Sequence, residues 1–367
     1  MLHLNKIILT QFKNYSSKTF EFTERVTGIC GLNGKGKTNL LDAIYYLCFT
    51  KSYFSKSDAF TVQFNTDGFR LEGDFIKIIK KSDAKEDYNI ASIYRGLGKK
   101  EVLVNDVAYE KFSSHIGKFP CVMIAPDDIE MITGSSEQRR RFIDTVLSQM
   151  DANYLQQLII YNKILLQRNS LLKNFAEQKN RDMQLLQVLD EQLINPGNDI
   201  HKKRKSFLEK LIPLAKDYYL QIANNNEMID LQYESQLKEY NFEELLIKTR
   251  DRDMASLRSN TGVHKDDIEL QLNGKQFKAV ASQGQKKSML FAFKLAEFEM
   301  LKANKGFAPL LLLDDVFEKL DDLRMQNLLQ WVCINNDSQV FITDTHLERL
   351  TTSLHNFGFS AQIIELS

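Results

Sequence analysis

Lys37 and Thr38 close the stretch GLNGKGKT, Gly31 to Thr38, which fits G-x-x-x-x-G-K-[ST] and lies between a β-type run, VTGIC, and a helical one, NLLDAIYYL. This is chemistry for a bound polyanion. Gly34 and Gly36 let the backbone turn its N–H groups inward around phosphate oxygens, and the following helix offers the positive end of its dipole. Lys37 would bring a point charge to the β- and γ-phosphates of ATP and Thr38 a hydroxyl ligand for Mg2+, with Gly31, Asn33 and Asn39 completing the cradle. A second candidate is LLLLDDVFEKLD, Leu310 to Asp321, where four leucines predict a strand buried on both faces that delivers two carboxylates at its C-terminal end. Asp314 would hold Mg2+, and Asp315 would either orient and deprotonate an attacking water or cap the next helix. A third is ASQGQKK, Ala281 to Lys287, where Ser282, Gly284 and Gln285 open an apolar helix; they expose donors for a phosphate or serve as an ordinary helix cap.

The elements that must position these residues follow from the hydrophobic pattern. IILTQF and RVTGIC read as the first strands, and FRLEGDFIKIIK, YNIASIYRG and EVLVNDVAYE as an antiparallel sheet, with Lys81 to Asp87 a charged hairpin connection. From about Ser135 the texture turns helical, with apolar residues at three- and four-residue spacing, until about Arg250. Asn195-Pro196-Gly197 and Pro213 are places where a helix would end or kink. Strand character returns with DIELQLNG, PLLLLDD and QVFIT, alternating with helices. An α/β domain split by a helical arm is the expectation: an N-terminal part over 1–134, the arm over 135–255, and a C-terminal part over 256–367.

Composition narrows the class. The 367 residues are 43% hydrophobic and 26% charged with a net charge of zero, so any nucleic-acid contact must come from local patches. No apolar run approaches a membrane span and the N-terminus lacks a secretory pattern, so a soluble cytoplasmic protein is expected. Cys30, Cys48, Cys121 and Cys333 have no C-x-x-C spacing, which argues against a zinc site or a disulfide framework. Two basic runs stand out, Arg139-Arg140-Arg141 and Lys202-Lys203-Arg204-Lys205; each could neutralise DNA phosphates or be a solvated helix face, and some arginines of RRRFID could instead form intramolecular pairs.

ASQGQKK resembles the signature motif of ATP-binding-cassette proteins, whose serine contacts the γ-phosphate held by the opposite subunit. That resemblance implies a head-type ATPase working as a head-to-tail homodimer, with Asp321 as the D-loop aspartate and His346 in QVFITDTH as the switch histidine. Within that group, LTQFKNY, GKGKTNLLDAIYYL, APDDIEMITGSSEQRRRFID, TGVHKDDIEL, ASQGQKKS and LLLLDDVFEKLD are together similar to the RecF family in order and spacing. The family's usual residues differ at Lys13 and Lys265, where it has arginine, and at Val263, where it has proline. Membership would imply an ABC-type ATPase head with an antiparallel β subdomain and a helical insertion. It would also imply a weak ATPase of recombinational repair whose ATP-bound dimer binds double-stranded DNA at gaps or junctions, helps RecO and RecR load the RecA recombinase, and lets go on hydrolysis. The competing expectation is a structural scaffold of the SMC or Rad50 kind holding a static nucleotide.

Overall fold

The computed structural model describes residues 1–79, 84–177, 182–223, 227–315, 322–333, 336–355 and 360–366. It divides into two compact units: residues 1–128, 218–225 and 283–367 form the first, and 129–217 with 226–282 the second.

The first unit holds two sheets. One is antiparallel and built from β1 (Leu2–Phe12), β2 (Tyr15–Glu21), β4 (Phe69–Ile79), β5 (Ala84–Arg95), β6 (Lys99–Val104) and β7 (Val107–Ala108), in the order β2-β1-β4-β5-β6-β7. Of the charged stretch expected to connect a hairpin, residues 84–87 belong to β5 and pair with β4 as far as Ile79↔Ala84. The other sheet is wholly parallel: β3 (Val26–Cys30), β8 (Cys121–Ile124), β12 (Leu310–Leu313), β13 (Val340–Asp344) and β14 (Ala361–Glu365) lie in the order β14-β3-β13-β12-β8. The four leucines of β12 are all buried, as a central strand covered on both faces requires. Helix α1 (Lys37–Phe49) is apolar nearly all round because it packs against both sheets, touching β1, β4 and β5 of one and β8 and β13 of the other. It stops at Thr50, which turns left-handed (φ 55°) and returns its N–H to the Tyr46 carbonyl.

The second unit contains α2 (Glu130–Thr133), α3 (Ser136–Met150), α4 (Ala152–Glu177), most of α5 (Met183–Ala223), α6 (Phe242–Ser256) and α7 (Phe277–Val280), with a small sheet of β9 (Ile229–Glu234), β10 (Asp267–Leu272) and β11 (Lys275–Gln276). One sequence expectation is narrowed, since the helix ends at neither proline, and one differs. Helix α5 runs on through Pro196 and Pro213. Each proline costs about 3 kcal/mol in a helix interior, but Leu186, Leu189, Leu193, Ile200, Phe207, Leu208, Leu211 and Ala215 are buried along its length, and large apolar side chains each return about 1.5–3 kcal/mol. The second boundary also moves: 256–282 stay with the helical unit instead of joining the C-terminal part of the head. The cause is β10, which pairs along its whole length with β9 from Asp267↔Glu234 to Leu272↔Ile229. The head resumes at helix α8 (Gln283–Lys305), followed by α9 (Asp322–Cys333) and α10 (Leu347–His355).

Candidate nucleotide site

The chain leaves β3 at Cys30, turns through the glycine loop and enters α1 at Lys37. Two positions in that turn need glycine. Gly34 has φ 83° and Gly36 φ 102°, and a Cβ on Gly36 would stand 2.7 Å from Asn14 Nδ2 and 2.7 Å from the Tyr15 hydroxyl. The β1–β2 turn braces this corner. Tyr15 donates its hydroxyl to the Gly36 carbonyl (3.1 Å), and Asn39 Nδ2 donates to Asn14 Oδ1 (2.8 Å).

Lys37 is buried, and its ammonium donates to the carbonyls of Gly31 (2.6 Å) and Leu32 (3.2 Å), so the cation sits over the loop itself. Opposite it, β12 delivers Asp314, whose N–H is tied to the Ile124 carbonyl on the neighbouring strand (2.8 Å). The Thr38 hydroxyl stands 3.0 Å from both oxygens of Asp314. Burial pushes the Asp314 carboxyl above its ordinary range, Thr343 and Thr38 oppose the shift by hydrogen bonding, and the charge of Asp315 adds to it. Asn33, Gly34, Gly36, Lys37, Thr38, Asn39, Asp314 and Asp315 line one cleft of about 230 Å³. Residues more than 270 positions apart in sequence thus share one wall, one of them a hydroxyl and two of them carboxylates.

A residue the motif reading missed connects them. Thr343 of β13 lies between the two site strands; its hydroxyl donates to Asp314 Oδ1 (2.9 Å) and accepts the Asp315 N–H (2.8 Å). A lone threonine in the buried run VFITD was the available signal. Asn14 and Tyr15 stood only within the family-like stretch LTQFKNY, with no chemical signal of their own, because they act through a turn whose φ at Lys13 is 50°. Lys13 pairs with the buried Asp42 of α1 at 2.6 Å. His346 follows β13, is exposed, and gives its N–H to Asp344 Oδ1 (3.2 Å); the same buried carboxylate takes two bonds from Arg349, of 2.8 and 2.5 Å. Gly284 and Gln285 open α8, and Ser282 directly precedes it. Neither His346 nor these three residues lines the cleft. Asp321 lies outside the described residues.

A model of the RecF/RecN/SMC N terminal domain matches residues 3–362. The DNA replication and repair protein RecF of Flavobacterium johnsoniae is 41% identical over 348 residues, 95% of either chain. The chain belongs to the RecF family. The RecF of Cytophaga hutchinsonii is 40% identical over 95% of this chain and 90% of its own. A solved structure of the recombination mediator protein RecF-ATP in the RecFOR pathway superposes with a TM-score of 0.85 at 32% identity, covering 94% of this chain and 92% of that one. The Smc head of Pyrococcus furiosus, 15% identical with a TM-score of 0.55, shares the fold. RecF-family architecture accordingly accounts for the whole arrangement: a P-loop, ABC-type ATPase head with an antiparallel β subdomain and a helical insertion. Among the described residues, no helix is long and apolar enough to cross a membrane.

The basic runs of this RecF-family chain need correction as DNA-contact candidates. Arg204 is a core residue, 2% exposed; it bonds Asp144 (2.7 Å), Asp266 (2.9 Å), the Val263 carbonyl (2.6 Å) and the Tyr154 hydroxyl (3.1 Å). Arg139 is buried too, forked onto Asp267 by bonds of 2.6 and 3.0 Å and bonded to the Met131 and Gly134 carbonyls. Lys203 pairs with Asp151 (2.6 Å), and Arg140 is half-buried with its guanidinium on the Asp266 carbonyl (2.7 Å). Lys202, Lys205 and Arg141 are exposed. The physical reason is the helix: successive residues turn about 100°, so a run of four cations cannot present one face.

Proposed function

We propose that this chain is an ATP-driven switch of DNA repair: two copies close head to tail on two ATP molecules, the closed dimer holds double-stranded DNA at a gap or junction with the help of RecO and RecR homologues, and slow hydrolysis opens it. The observation that carries the reading is the Thr38 hydroxyl 3.0 Å from both Asp314 oxygens at the mouth of the glycine loop. That pair fits a hard cation, being all oxygen, and Asp314 is a carboxylate whose charged form burial disfavours and a cation would favour. Bound Mg2+ would neutralise charge on the transferring phosphoryl group.

The remaining roles belong to side chains. Lys37 exchanges its loop carbonyls for phosphate oxygens, the N–H groups at the start of α1 cradle the β-phosphate, and Asp315 holds the attacking water and takes its proton. Ser282, Gly284 and Gln285 of one copy would address the γ-phosphate in the other, as the signature resemblance implies. His346, on the segment braced by Asp344, would sense that phosphate. RecF proteins named for DNA replication and repair, and RecF solved with ATP, support the choice of ligand and process.

Mass by light scattering without nucleotide, with ADP, and with ATP and Mg2+ tests the switch. A doubled mass with ATP alone is expected; equal masses throughout refute it. Phosphate release that survives Asp315→Asn unchanged would remove the aspartate from its role, and a wild type that releases no phosphate would leave a static nucleotide.

A further inference from the structure

A cationic cluster lies on the second unit, and resting on the reading of this chain as a DNA-binding protein, we propose that Arg252, Arg258 and Lys265, with Arg140 bracing their loop, together seat the phosphate backbone of duplex DNA. Arg252 belongs to α6, Arg258 and Lys265 to the loop that follows, and Arg140 to α3. The loop folds back on itself. His264 Nε2 donates to the Ser259 carbonyl (3.1 Å), so the next residues outward, Arg258 and Lys265, stand on either side of a cross-link. Arg140 reaches the same place, its guanidinium on the carbonyl of Asp266 beside Lys265.

Acids and bases segregate here. Asp253 turns inward to Arg168 (2.7 Å), Asp266 to Arg204 (2.9 Å) and Asp267 to Arg139 (2.6 Å), while Arg252, Arg258 and Lys265 are exposed; Asp251 is the exposed acid of the segment. The Lys265 ammonium is depressed by partial burial and then by the like charges of Arg258, Arg140 and Arg252, with Asp253 opposing. Gathering like charges costs stability, and a polyanion is the partner that relieves it.

The cluster is also held in shape before any partner arrives. Leu257 turns left-handed (φ 55°) at the end of α6. Asp253 Oδ1 takes both the N–H and the amide of Asn260 (2.9 Å each), Arg168 donates to the Ser259 hydroxyl (2.8 Å), and Tyr161 donates to His264 Nδ1 (2.8 Å). Such pre-ordering lowers the entropic cost of binding. The aromatics within the supporting helices, Phe142 and Phe242, are buried, so those helices offer bases no stacking platform, which favours duplex over single strand. Contact is therefore to phosphate and reads no sequence.

The test compares wild type with Arg252→Gln/Arg258→Gln/Lys265→Gln, keeping Arg140 for its bond to the loop. Duplex and single-stranded DNA affinities are measured with ATP and Mg2+ from 50 to 200 mM salt. Each lost phosphate contact removes about 0.9 from the log–log salt slope, so over that range the wild-type duplex affinity should fall about 40-fold more than the variant's. The charge-keeping Arg252→Lys/Arg258→Lys/Lys265→Arg should restore the slope, and all three proteins should share one melting temperature and one ATP-dependent mass. A wild type that binds duplex with a slope the glutamine variant keeps overturns the proposal, as does an equal loss on single strands. A wild type that binds no duplex at any salt refutes the DNA reading itself.

Discussion

Arg204→Met separates a core role from a surface role for the second basic run. The guanidinium spans two carboxylates that differ in exposure: Asp266 is 1% exposed and Asp144 22%. Removing the cation leaves Asp144 able to hydrate but Asp266 buried, with the Tyr233 hydroxyl as remaining donor (2.7 Å). Orphaning a buried charge costs about 3–5 kcal/mol. At a typical slope of ~2 kcal/mol per M urea, the helical unit should lose its structure about 2 M earlier, read by far-UV circular dichroism with hydrogen exchange to locate the change. Adding Asp266→Asn should recover part of the loss because the uncompensated charge disappears with it. Lys202→Gln, on the exposed neighbour, should leave the midpoint where it is. A variant at Arg204 that melts like wild type but loses about 0.9 from the salt slope of DNA binding would refute this reasoning and restore the surface role.

Three further predictions bear on the head. Gly36→Ala must hold a left-handed φ and push a methyl into Asn14 and Tyr15; strain of about 1–3 kcal/mol should weaken ATP binding by roughly 5- to 150-fold, and unchanged calorimetric affinity would contradict the loop geometry. Thr343→Val removes the hydroxyl serving both aspartates and should slow phosphate release about 10- to 100-fold, while magnesium-free nucleotide binding is kept. Glu297, buried beside Lys294 (3.6 Å), is raised by burial from its ordinary 4.5 to about 7, with Lys294 opposing. Its folded form therefore holds the proton more tightly, and the associated stability is present below pH 4.5 and lost as pH rises through 7. His115 and His264, both held near 4 by burial, slope the other way, so the quantity to measure is the melting temperature of wild type minus that of Glu297→Gln. That difference should fall between pH 5 and 8, and a flat line refutes the assignment.

What could be read from the sequence was what is encoded locally. The glycine loop and the acidic strand end each carry their chemistry within a dozen residues, so spacing and flanking hydrophobicity were enough to place Lys37, Thr38, Asp314 and Asp315 around one ligand as an expectation, and the structure brings them to one cleft. The limits of the helical arm were not legible. DIELQL reads as a strand, but its partner is Ile229–Glu234, and nothing in the alternation of either names the other. Two prolines marked places for a helix to end or kink, and the helix ends at neither because its buried apolar row outweighs them. The basic runs misled for a geometric reason, since adjacency in sequence disperses side chains around a helix: Arg139 points in, Arg140 is half-buried, and Arg141 is exposed. The sequence marked Arg140 and Lys265 singly but did not show their grouping with Arg252 and Arg258, because the cluster is assembled from separated positions.

The parallel sheet has a consequence for biosynthesis. Val26–Cys30, the strand feeding the glycine loop, has as neighbours Val340–Asp344 and Ala361–Glu365, and Leu366 lies against Gly31 with its N–H on the Cys30 carbonyl (2.8 Å). A ribosome therefore extrudes the phosphate loop long before either flanking strand exists, and pairings this distant form late. Nascent heads should be unable to grip nucleotide, so translation itself delays when the protein can first engage ATP.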